Sequence, residues 1–211
     1  MLVFLMEFVS SFISFLVGYY ALKAYRASGA KGLFLIYLGF VVLGIGIFLR
    51  VVTAAYFAII LRAYVTAEPH LSGLANLAAL LFTLTQLIAY SLFTATYVFE
   101  AKNIGRRSAE LSVVSAAAVP IFKLFFIPQL ELIAITFLGF ITVYSLTNWL
   151  LRKTSESALV FLGFGFMLLS HLFFLLMIVD VESFLLLGQA TQLIGFVCLL
   201  VMLAKVSRAH A

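Results

Sequence analysis

Long apolar runs alternate with short polar gaps along almost the whole chain, and the runs are long enough to cross a membrane. A hydrocarbon core of about 30 Å needs about 20 helical residues per crossing. On that rule the pattern predicts seven spans, at about 2–22, 32–50, 72–99, 109–127, 130–151, 158–179 and 184–204. The gaps are short, so successive helices should be antiparallel neighbours. Beyond Arg50 the apolar character continues to Val65, in a piece too short to cross and return. Its Arg50, Tyr56, Arg62 and Tyr64 suit a headgroup layer. It therefore reads as an outer extension of span two or an interfacial helix, ended by Glu68-Pro69-His70. Pro120 predicts a kink in span four, and Pro128-Gln129 predicts a tight outer turn.

Charge gives these spans a direction. Lys23, Arg26 and Lys31 fall in one gap, Lys102, Arg106 and Arg107 two gaps later, Arg152 and Lys153 two gaps after that, and Lys205 and Arg208 near the end. The intervening gaps carry Glu68, Glu131, Asp180 and Glu182. Basic loops stay in the cytoplasm, so the expected topology has the N-terminus outside and the C-terminus cytoplasmic. Met1 to Glu7 lacks a basic start and a small-residue cleavage site, so the first run reads as a retained span.

Composition agrees. The 211 residues are 65% hydrophobic and 10% charged, against about 45–50% and about 25% in a soluble domain. A multi-pass protein of the cell membrane follows, folded as one all-α domain over 1–211. The net charge of +5 does not indicate nucleic acid, because the basic residues are distributed over four cytoplasmic positions rather than one face. The expected partners are the lipid bilayer and, beyond it, a second copy or another membrane protein. Cys198 stands alone inside the last span, where it reads as a small core residue.

An internal repeat is visible. Leu38-Gly39-Phe40 matches Leu162-Gly163-Phe164, and in the same register Tyr20 and Leu22 match Tyr144 and Leu146. Thr85-Gln86-Leu87-Ile88 matches Thr191-Gln192-Leu193-Ile194 in a second register, displaced by the extra segment after Arg50. The expected organisation is a parallel repeat: unit one at about 1–100, a linker helix at about 109–127, and unit two at about 130–206. Gly39, Gly44, Gly46, Gly163, Gly165, Gly188 and Gly195 read as close helix packing, which small residues permit in lipid.

The candidate chemistry lies in a few intramembrane polar groups. Asn76, Thr83, Gln86, Tyr90 and Tyr97 recur along one side of span three, and Gln189 and Gln192 lie below the outer end of span seven. Polar groups facing lipid are costly, so Asn76, Gln86, Tyr90, His171, Gln189 and Gln192 are expected to face the interior, either as a polar cavity or as interhelical hydrogen-bonding glue. His171 reads as a satisfied core histidine, with a proton relay, solute contact or haem ligation as alternatives. Glu7, Arg50 and Lys123 form a candidate outer charged group. Glu7 and Lys123 lie at similar depth and could pair, or all three could anchor the outer edge. No metal cluster, Walker loop, dinucleotide fingerprint or nucleophile motif is present in the sequence, and no cofactor is expected.

The three-plus-one-plus-three plan, with its N-terminus outside, is similar to that of the SWEET and PQ-loop proteins, which also carry parallel repeats. That resemblance implies solute transport. Gly18-Tyr19-Tyr20 through Lys23, Tyr25 and Arg26, then Gly32-Leu33-Phe34 to Leu38-Gly39-Phe40, resembles small archaeal multi-pass membrane proteins of unknown function, and implies no activity. Two functions remain. One is a small-solute permease with its cavity between the repeat units. The other is a non-transporting subunit, sensor or scaffold. The repeated Gln motif favours the first. The absence of proline inside the six repeated spans favours the second.

Overall fold

The computed structural model describes residues 2–63, 69–104, 127–177 and 179–209. Six helices account for nearly all of them: α1 (Leu2–Ser28), α2 (Lys31–Ala63), α3 (Pro69–Ile104), α4 (Ile127–Arg152), α5 (Ser155–Leu176) and α6 (Val181–Ala209). Among the described residues, these 6 helices are long and apolar enough to cross a membrane. The expectation of seven spans in a seven-helix bundle is corrected accordingly. The predicted fourth span, with Pro120 and Lys123, lies outside the described residues except at Ile127, where α4 begins.

Element ends differ from expectation in instructive ways. The segment after Arg50 continues α2 to Ala63, which settles the choice between an extension and a separate interfacial helix. Pro69 and His70 open α3, and Pro128-Gln129 lies in the first turn of α4 rather than in a separate turn. Proline is at home in a helix's first turn, where its missing N–H has no intrahelical partner to lose.

Among the described residues the helix backbones close into a ring, each lying beside its two neighbours in the order α1, α2, α3, α4, α5, α6 and back to α1. Directions follow from paired residues. Gly32, Gly39 and Gly46 of α2 meet Thr96, Phe93 and Thr85 of α3, so this pair is antiparallel. The Tyr97 ring packs 5.1 Å from that of Tyr144, and Tyr90 and Glu131 meet the same histidine, so α3 and α4 run parallel. Hence α1, α3, α4 and α6 point one way, and α2 and α5 the other. Leu2 and Ala209 stand at opposite ends of the ring.

The ring's outer wall is apolar: Phe4, Phe8, Phe12, Phe15 and Tyr19 of α1 are all exposed. Such a face suits lipid. Its centre is filled by rings. Phe40 lies 4.6 Å from Phe93 and 6.1 Å from Phe196, and Phe164 lies 5.8 Å from Phe93. This is an all-α multi-pass membrane protein.

Glycines set the closest crossings. A Cβ on Gly39 would come within 2.3 Å of the Phe93 ring, and one on Gly163 within 2.5 Å of Leu199. A Cβ on Gly195 would reach the Gly163 carbonyl at 2.8 Å. On α1 the small residues are serines that bond across to α2: Ser11 Oγ donates to the Gly44 carbonyl at 3.0 Å and Ser14 Oγ to the Phe40 carbonyl at 2.8 Å.

Candidate functional site: two acid–base clusters at one end of the ring

Two ionisable clusters lie inside the ring, both toward the end where α1, α4 and α6 begin. In the first, Arg50 Nη2 donates to Glu7 Oε1 at 2.5 Å. Gln189 Nε2 donates to the same oxygen at 2.9 Å. The Arg50 guanidinium carbon also sits 4.1 Å from the centre of the Phe82 ring, a cation–π contact that helps hold a charge with little water around it. Three helices (α1, α2 and α6) thus converge on one carboxylate, and α3 supplies the ring under its cation. Glu7 is buried, which is tolerable because its charge is opposed and hydrogen-bonded.

In the second cluster, His171 of α5 is wholly buried and uses both ring nitrogens. Nδ1 lies 2.5 Å from Glu131 Oε2 and Nε2 lies 2.6 Å from the Tyr90 hydroxyl. A carboxylate only accepts, so Nδ1 carries the hydrogen. In the neutral imidazole Nε2 is then the acceptor of the Tyr90 O–H. The Tyr90 and Phe174 rings stand edge-on to the imidazole at 5.3 and 5.7 Å.

The expected interior residues Gln86, Tyr90, His171, Gln189 and Gln192 are all buried. The Asn76 side chain and Lys123 lie outside the described residues. Glu7, read as an outer-edge anchor or a partner of Lys123, bonds Arg50. Arg50 is accordingly more than an edge anchor. Glu131 was expected only as an acid of an outer gap, yet its side chain is 14% exposed and holds His171. Its signal was in the repeat: the register that aligns Leu38-Gly39-Phe40 with Leu162-Gly163-Phe164 also aligns Glu7 with Glu131.

Comparison with family models, curated proteins and solved structures gives no match to this chain. Its chemistry therefore rests on its own geometry. Among the described residues no group of three or more His, Cys, Asp or Glu side chains is arranged to hold a metal ion. Besides the hydroxyls of Ser10, Thr142 and Ser207, Gln189 Oε1, Gln192 Nε2 and Arg50 Nε are buried there without a hydrogen-bond partner. Burying such atoms unpaired costs about 1–3 kcal/mol each. Of the last three, two are donors and one an acceptor. Arg50 and Gln189 grip one carboxylate oxygen, and Gln192 follows Gln189 by one turn on the same face of α6, so the three lie in one neighbourhood.

Proposed function

We propose that this protein is a small-solute permease whose solute lies against Gln86, Gln189 and Gln192, inside the ring and above the aromatic centre. The observation that carries this reading is the group of unpartnered atoms, Gln189 Oε1, Gln192 Nε2 and Arg50 Nε. Interhelical glue pairs its polar atoms, and these have no such pairing. Ionisable residues facing a bundle interior also commonly mark solute or ion pathways.

The repeat belongs to the same proposal. Glu7 and Glu131 occupy corresponding places. The left-handed residues that end the first helix of each unit, Gly29 (φ 70) and Lys153 (φ 52), correspond as well. Their N–H groups donate to Tyr25 and Trp149, another corresponding pair, at 2.7 Å each. The contact of Gly39 with Phe93 likewise corresponds to that of Gly163 with Leu199. Two similar units facing one another would place the solute near their shared axis. The charge distribution puts the Glu7 end outside. Cysteines at Ser72 and Ser183 should react with impermeant reagents in intact cells, whereas those at Ser28 and Ser155 should not.

The aromatic packing of Phe40, Phe93, Phe164 and Phe196 favours a second reading, a subunit, sensor or scaffold with a closed interior. Counterflow in proteoliposomes, run with a panel of labelled sugars, amino acids and small amides, separates the two. The permease reading expects exchange of at least one solute, abolished in Q86L/Q192L while the protein stays folded. No exchange of any solute, together with higher thermal stability in Q86L/Q192L, would establish the second reading.

A further inference from the structure

The two carboxylates in corresponding places have different partners. Glu7 faces a guanidinium, whose charge is permanent, and Glu131 faces an imidazole, whose charge is not. The second cluster can therefore take up and release a proton where the first cannot do so without breaking an ion pair. We propose that the Glu131–His171–Tyr90 cluster is an intramembrane proton-binding site, and that the proton is the ion coupled to solute movement. The coupling part rests on the permease reading above.

Geometry supports three features of such a site. It has an entrance, because Glu131 is 14% exposed at the end of the ring while His171 is fully buried. Its contacts among the described residues are simple. Around α5, α4 contributes Glu131 and α3 contributes Tyr90, while α6 presents the uncharged Gly188 against Phe174. Arg50 of α2 and Glu7 of α1 pair with each other. It also has an output, Tyr90, which reaches Phe93 and hence the aromatic centre.

The proton count is simple. In the unloaded form Glu131 is a carboxylate, His171 carries hydrogen on Nδ1, and Tyr90 donates to Nε2, for a net charge of −1. One proton enters from water at the Glu131 end and none leaves. Both ring nitrogens then carry hydrogen, Glu131 remains the acceptor, and the net charge is zero. Nε2–H must now donate to the Tyr90 oxygen, because two hydrogens cannot share that bond. The Tyr90 hydrogen turns away from His171 into the interior, where it becomes a donor for solute. Loading thus changes what the interior offers without a large movement of any helix.

Two measurements on the reconstituted protein test this. The first is solute accumulation under an imposed pH gradient. With one proton per solute, a gradient of one unit should drive about tenfold accumulation. In E131Q and H171Q accumulation should fall to none, and Y90F should fail likewise because its ring has no hydrogen to redirect. The second is an infrared difference spectrum of the wild type on stepping from alkaline to acid pH, which requires no transport and no variant that might misfold. Imidazole and carboxyl bands should change together, and this joint change should vanish in both E131Q and H171Q. Wild-type accumulation indifferent to the gradient overturns the coupling, and a spectrum without those bands overturns the site. Joint bands with no transported solute would leave the proton site standing and remove the permease reading. Counterflow with neither bands nor gradient dependence would do the reverse.

Discussion

Glu7 and Glu131 align in the sequence register that pairs Leu38-Gly39-Phe40 with Leu162-Gly163-Phe164, yet their environments diverge. Glu7 is held by a guanidinium on α2 and an amide on α6, with an aromatic face under the cation. Glu131 is held by one imidazole on α5, itself bonded to a phenol on α3. In each half the first helix supplies the acid and the second supplies the base. In each, a side chain from the third helix of the other half completes the cluster. What differs is whether the base keeps its charge. A bundle with two fixed pairs would be a scaffold. One fixed and one variable pair gives a rigid side and a responsive side around the same interior.

Removing each base gives the largest expected difference between the halves. Arg50→Ala leaves the buried Glu7 charge with Gln189 alone, and should cost about 3–5 kcal/mol. It would be read as a large fall in thermal midpoint or loss of folded protein in detergent. His171→Gln keeps a donor and leaves Glu131 closer to water, so about 1–3 kcal/mol is expected. If the two losses were equal, or reversed, the assignment of fixed and variable roles would be wrong.

The matched glycine crossings probe the likeness of the halves rather than their difference. Gly39→Ala would push a Cβ into the Phe93 ring and Gly163→Ala one into Leu199. Both should destabilise by about 1–3 kcal/mol through overpacking. Gly139→Ala is the control, since nothing lies within 4 Å of its Cβ. It should be neutral or stabilise by up to about 1 kcal/mol, as alanine favours helix. A large loss at only one of the paired glycines would break the correspondence.

The smallest effect should come from the turn after α4. Lys153 adopts a left-handed conformation at φ 52, where the corresponding residue of the first unit is Gly29. A non-glycine residue there costs about 1 kcal/mol or more. Lys153→Gly should therefore raise the thermal midpoint slightly, and Gly29→Lys should lower it by a similar amount.

The membrane class and the positions of the described helices were legible because hydrophobic run length is a physical requirement of the bilayer. The interior placement of His171 and the Gln residues was legible for the same reason: lipid offers them no partner. The pairings were not. Depth arithmetic put Glu7, Arg50 and Lys123 at similar levels but could not say which helices are neighbours, and the ring order places α2 beside α1. Glu131 was read as a loop acid because it lies near the start of its helix, where a charge needs no explanation. The seven-span count rested on the segment with Pro120 and Lys123, where a helix-breaking residue and a charge interrupt one apolar run. Side-chain chemistry in this fold emerges from which helices touch, and a single sequence carries that only through the repeat.

A small polar molecule held between the two clusters should be visible in a density map of the protein purified from its native membrane without added ligand. Such a map should show Glu7 on Arg50, Glu131 on His171, and non-protein density within hydrogen-bond distance of Gln192 Nε2 and Gln189 Oε1. A sealed interior in which those two atoms bond directly to neighbouring helices, with no density between Gln86, Gln189 and Gln192, would contradict it.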